Sequence, residues 1–146
     1  MIKLVAIPIL AVLLLGNSGS AASSSLDLYG AFFKSGHPLR GERLEEAVTG
    51  KDQISNLNRS VELIKRYPQI KFEIAGHTDK SECAGQECHR LAQRRALLLY
   101  RFLLDAGVDP SCVIGLTEYA TTRPITNNSE DSWLNRRAEL NEGIDP

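Results

Sequence analysis

The stretch from Phe72 to Ala106 constrains the fold of this chain more than any other. Phe72 and Ile74 alternate with polar neighbours, the two-residue period of a strand, and that strand hands its last residues to a loop beginning Gly76-His77-Thr78-Asp79. From about Ala84 to Ala106 the chain is rich in Leu, Ala, Arg and Gln, lacks proline, and meets Gly107 where a helix needs a left-handed closing residue. Leu91, Leu98 and Phe102, with the parallel row Ala92, Ala96, Leu99 and Leu103, give this helix a broad apolar face suited to packing on a sheet. Asp79 then stands at a strand exit and Arg95 rides on the following helix. The two can converge, the carboxylate accepting from an ammonium and the guanidinium forking onto a carboxylate, so the ligand they suggest carries both charges. The plainer reading is a solvated ion pair contributing about 0 to 1 kcal/mol.

Elsewhere the pattern is similar. Strands are expected near Tyr29 to Phe33, Val113 to Thr117 and Ala138 to Leu140. A first helix is expected from Asp52, as N-cap, through Ile54, Leu57, Val61 and Ile64 until Tyr67-Pro68 stops it. Gly36 to Gly50 reads as a loop with one helical turn, Asp109-Pro110 turns the chain into the third strand, and Asn127-Asn128-Ser129 opens a polar loop before Trp133. The expected fold class is α/β (α+β), a two-layer sandwich of βαβαβ type with a four-stranded mixed sheet and helices packed on one face.

The N-terminus reads as a secretory signal peptide. Met1-Ile2-Lys3 precedes an apolar run from Leu4 to Leu15, and Ser20-Ala21-Ala22 offers a small-residue cleavage site before Ser23. The run is shorter than the roughly 20 residues of a spanning helix, with an uncleaved anchor as the alternative. About 120 residues remain, enough for one domain with a modest core. The eight or more strands of a membrane barrel are not there. A formal net charge of −1, with no basic stripe interleaved with aromatics, points away from nucleic acid.

Several motifs in order resemble a known family. The strand exit Gly76-His77-Thr78-Asp79, the helix segment Cys88-x-x-Leu91-Ala92-x-x-Arg95-Ala96 and the late Asn135-Arg136-Arg137-Ala138-Glu139 together resemble the OmpA-like C-terminal domain of bacterial cell envelopes, over roughly Phe32 to Ile144. The resemblance implies peptidoglycan binding without cleavage, Asp79 and Arg95 holding the amine and carboxylate of the stem's diaminopimelate, with Thr78, Phe33, Leu91 and Arg136 around them. The implied location is the periplasm, in association with peptidoglycan and the outer membrane, with outer-membrane or envelope-complex proteins as further partners. The organisation implied is a signal peptide over 1–22, an N-terminal leader, first strand and loop over 23–50, and a single domain over 29–146. Cys88 and Ala92 replace the family's usual Asn and Ser, and Glu118-Tyr119-Ala120 stands where Gly-Tyr-Gly is usual. Lys34 falls near an often acidic position, where it would repel the ligand's ammonium. His77, following a glycine at a strand end, reads as a packing or hydrogen-bonding residue.

Cys83 and Cys88 lie between the two proposed ligand residues, and in an oxidising compartment they are expected to pair, holding the loop after Asp79 rigid. The competing reading is zinc held by His77, Cys83, Cys88 and His89, although the spacing matches no strong zinc pattern. Cys112 is left over, as a buried small residue or an alternative disulfide partner. No Gly-x-Ser-x-Gly, His-Glu-x-x-His or phosphate-cradling glycine loop is present, so neither an enzyme nor a cofactor is expected. The alternative function is a protein–protein module of an envelope secretion or motility complex, with wall binding weak or lost.

Overall fold

The computed structural model describes residues 27–143; the expected signal peptide over 1–22, residues 23–26 of the leader and the last three residues lie outside the described residues. In chain order the elements are β1 (Ala31–Phe32), α1 (Leu44–Ala47), α2 (Asp52–Arg66), β2 (Phe72–His77), α3 (Gln86–Asp105), β3 (Val113–Ala120) and β4 (Arg137–Glu142). Single 3-10 turns at Pro110–Cys112 and Ser132–Asn135 precede β3 and β4.

The four strands form one mixed sheet in the order β1-β4-β2-β3. β2 and β3 run parallel with α3 as the crossover, and β4 lies antiparallel between β1 and β2, pairing Ala138 with both Ala31 and Gly76. Alternation along β2 sends Phe72 and Ile74, both fully buried, into the core beneath the helices. Leu57 and Ile64 of α2 and Leu99 and Leu103 of α3, each at most 1% exposed, close that core from the other side.

The two-layer sandwich expected from the apolar periodicities is the one observed. The differences are local. Asp52 is the first helical residue of α2, with Lys51 at the cap, yet its carboxylate still sits at the positive end of the helix dipole. β1 is only two residues long, and its continuation Phe33 makes an isolated bridge to Val48. α3 begins at Gln86, after Gly85 turns the chain with φ +52°. Gly107, at φ +93°, closes α3 by donating to the Leu104 carbonyl, as its position in the sequence leads one to expect.

Gly76 controls how closely α3 can approach the sheet. A Cβ there would fall on the backbone carbonyl of Ala92, which no side-chain rotation can relieve. Since Ala92 lies one helical turn before Arg95, the same contact sets where Arg95 meets the strand exit. Gly76→Ala should therefore destabilise the domain by about 3 kcal/mol, read as a lower midpoint in urea unfolding.

On the sheet face away from the helices, His77 is buried against Tyr119, ring centroids 5.4 Å apart, and its Nε2 meets Glu139 Oε2 at 3.2 Å. Burial alone would raise the Glu139 pKa, but hydrogen bonds with His77 and Arg137 and the positive charge of Arg137 hold it down to about 2 from an ordinary 4.5. A carboxylate whose folded pKa is depressed stabilises the fold fully above its unfolded pKa and loses that contribution as pH falls through the folded one. The stability difference between the parent and Glu139→Gln should thus be constant above about pH 5 and shrink between about pH 4.5 and 2, measured by thermal melts across pH.

Candidate functional site

The end of β2, the loop after it and the first turns of α3 assemble around Arg95. This arginine lies on the buried stripe of α3, with Cys88, Leu91, Ala92, Ala96 and Leu99, and has no exposed surface. A guanidinium has five N–H donors, and here all five are engaged. Nε donates to His37 O at 2.9 Å, Nη1 to His77 O at 2.9 Å and Glu82 Oε1 at 2.6 Å, and Nη2 to Lys34 O at 3.3 Å and Glu82 Oε2 at 2.8 Å. The group also stands 5.2 Å from the centre of the Phe33 ring. Glu82 is as fully occupied: Oε1 accepts from Asp79 N at 2.9 Å and Oε2 from Gly36 N at 2.8 Å, and its side chain is as unexposed as that of Arg95. The expected convergence of Asp79 and Arg95 on one ligand thus meets an Arg95 already forked onto a carboxylate of its own chain.

Asp79 points elsewhere. Its Oδ2 accepts from the backbone N–H of Ser81 at 2.9 Å and from the Ser81 hydroxyl, and its Oδ1 accepts from Asn135 Nδ2 at 3.2 Å. Burial pushes its pKa up, but the Ser81 and Asn135 hydrogen bonds and the charge of Arg136 more than offset this and leave it below the ordinary value. A carboxylate offers about four acceptor positions, so one remains open. Asp79, only 3% exposed, lines a cavity of about 340 Å³ whose walls also include Lys80, Thr126, Asn127, Ser132 and Asn135. Asn135 joins the two sides: its Oδ1 accepts from the N–H groups of Ile125 and Thr126 while its Nδ2 donates to Asp79 and to Thr126 O.

The remaining expected residues divide clearly. Phe33 and Leu91 are core side chains, 0% and 3% exposed, and neither lines the cavity. Thr78 is also buried, its N–H donating to Ala120 O and its hydroxyl without a partner. Arg136 is half-buried beside the cavity, donating through Nη2 to Ser132 Oγ at 3.2 Å, with Nε buried and unpaired. Lys34, expected to repel an ammonium, donates to Glu46 O at 2.6 Å and is not among the residues that line the cavity. His77 is a buried, hydrogen-bonded packing residue.

Cys83 and Cys88 form a disulfide, Cα atoms 5.2 Å apart, tying the residue after Glu82 to the first turn of α3. With both thiolates so committed, the zinc alternative loses half of its ligand set. Cys112 is a buried free thiol. Glu82 is the residue that reading the sequence missed; its signal was an acid three residues beyond Asp79 and next to a half-cystine. The polar loop at Asn127-Asn128-Ser129 was expected, but not its role as a cavity wall, which depends on Asn135, ten residues from Ile125.

The model of the OmpA family matches residues 46–138, spanning α1 tail to β4 start. The chain is 28% identical over 99 residues to outer membrane porin F of Pseudomonas fluorescens, covering 65% of this chain and 29% of that protein. It is 32% identical over 99 residues to the peptidoglycan-associated lipoprotein of Brucella melitensis, covering 65% of this chain and 56% of that one. This chain therefore spans less than two thirds of either relative. Among solved structures, the C-terminal domain of Helicobacter pylori MotB has a TM-score of 0.64 at 22% identity, over 83% of this chain and 87% of that one. The peptidoglycan-associated lipoprotein from Burkholderia pseudomallei also scores 0.64, at 24% identity over 79% and 90%. Those two likenesses show a shared fold, and with the family model matching more than half of its length, this chain belongs to the OmpA family.

Proposed function

We propose that this domain binds peptidoglycan without cleaving it, receiving an amine of the peptide stem on Asp79. The observation that carries the reading is a carboxylate with a lowered pKa at the wall of a cavity ringed by Lys, Ser, Thr and Asn residues, with one of its about four acceptor positions not taken by the protein. No histidine, cysteine or second carboxylate lines that cavity among the described residues, which suits a binder better than a hydrolase. The 32% identity to a protein named for its association with peptidoglycan supports the same reading. Diaminopimelate in the stem would supply the amine, with Lys80 and the half-buried Arg136 as positive groups near its carboxylate. Arg95 would serve through Glu82, holding the loop that presents Asp79. The setting this implies is the periplasm, against the wall and the outer membrane. Among the described residues no helix is long and apolar enough to cross a membrane.

One observation favours a second reading. Arg95 is sealed by Glu82, so a domain that needed it for wall affinity would bind weakly and act instead as a protein–protein module of an envelope complex.

Cosedimentation with purified sacculi separates the two. The parent should pellet with sacculi and release no soluble fragments, and Asp79→Asn should lose about 1 to 3 kcal/mol of binding, roughly 5- to 150-fold. A parent that stays in the supernatant would favour the protein–protein module. Because the Asp79 pKa is lowered, binding should hold as pH falls to about 4 and fail only below the ordinary aspartate range, as the carboxylate takes up its proton. Raising the salt concentration should weaken it.

A further inference from the structure

We propose that Glu82 permanently fills the guanidinium seat at Arg95, so that this site selects the amine of a wall peptide stem and does not require the carboxylate beside it. The inference rests on the reading that Asp79 holds that amine.

The geometry makes Glu82 hard to displace. Both of its oxygens are doubly engaged, each taking one N–H of Arg95 and one backbone N–H, from Asp79 or from Gly36. A ligand carboxylate entering the fork would have to expel a carboxylate with no exposed surface and leave those two backbone donors unpaired. The loop has little slack with which to yield. Cys83, the next residue, is bonded to Cys88 at the start of α3, and Gly36 N anchors Glu82 from the far side of the site. The Asp79 N–H bond links the two acids directly: moving Glu82 would disturb the residue proposed to receive the amine.

What remains for a ligand carboxylate is Lys80, which is exposed, and Arg136, which is half-buried. Pairs to solvated cations of this kind are weak and screened. Glu82 is therefore the specificity-determining residue, and the ligand class is a stem peptide with a primary ammonium on a short carbon chain. Stems carrying diaminopimelate, its amidated form or lysine all present that group.

Calorimetry of the chain with four soluble stem peptides tests the inference, the probes carrying diaminopimelate, amidated diaminopimelate, lysine or side-chain-acetylated lysine. The first three should bind within about fivefold of one another, the range of an exposed ion pair. The acetylated peptide, lacking the ammonium, should bind at least about tenfold more weakly. In Glu82→Ala, with Arg95 released, the diaminopimelate stem should become preferred over lysine by about tenfold or more. A parent that already shows that tenfold preference overturns the inference and leaves the Asp79 reading standing, as does a folded Glu82→Ala variant with no preference. A parent that binds none of the four overturns the reading itself and the inference with it. Should Glu82→Ala not fold, the parent series decides alone.

Discussion

The buried pair of Arg95 and Glu82 is the interaction on which the arrangement of this domain depends. Two charges without exposed surface are tolerated because every donor of the guanidinium has an acceptor and both carboxylate oxygens take additional backbone N–H groups. Such a pair adds little net stability over apolar residues of similar volume, whereas losing one partner costs about 3 to 5 kcal/mol. Its consequence is geometric. Carbonyls from Lys34 and His37 after β1, the carbonyl of His77 at the end of β2, and the loop acid all meet on one side chain of α3. The irregular ends of the sheet are thereby held in one register.

Two acids three residues apart have opposite fates for this reason. Glu82 turns inward and is consumed by Arg95 and two backbone donors, while Asp79, buried but lining the cavity, is bonded to Ser81 and Asn135, which lower its pKa without saturating it. Gly76 permits both, since only there can the backbone of α3 come close enough to β2 for Arg95 to reach the strand exit. The disulfide between Cys83 and Cys88 then spans the loop on the helix side. Fold, loop and site are coupled through a few side chains that join segments distant in the sequence.

The fold was largely legible because its signals are local and repeated. The two-residue alternation at Phe72 and Ile74, the apolar spacing of Leu57, Val61 and Ile64, and Gly107 at the helix end each specify an element by short-range geometry, and they agree with one another. Element ends were less legible. β3 extends to Ala120 and β4 starts at Arg137 because pairing with neighbours, rather than side-chain pattern, decides where a ladder stops. The cysteine pair could be read from spacing and compartment, and the place of Asp79 just beyond the end of β2 from the strand pattern before it. Phe33 and Leu91 are apolar residues near motif positions, and their sequence cannot distinguish a ligand platform from core.

Periodicity, turn residues and the order of motifs are enough to specify the kinds of element, their order, the βαβ crossover and the presence of a charged cluster after β2. Which acid Arg95 meets is settled in three dimensions. That choice depends on carbonyls contributed by residues about 60 positions away, His37 and Lys34, and on which carboxylate can reach the helix without leaving backbone donors unpaired. An arginine that reads as open to a ligand in one dimension is, in three, already closed by its own chain.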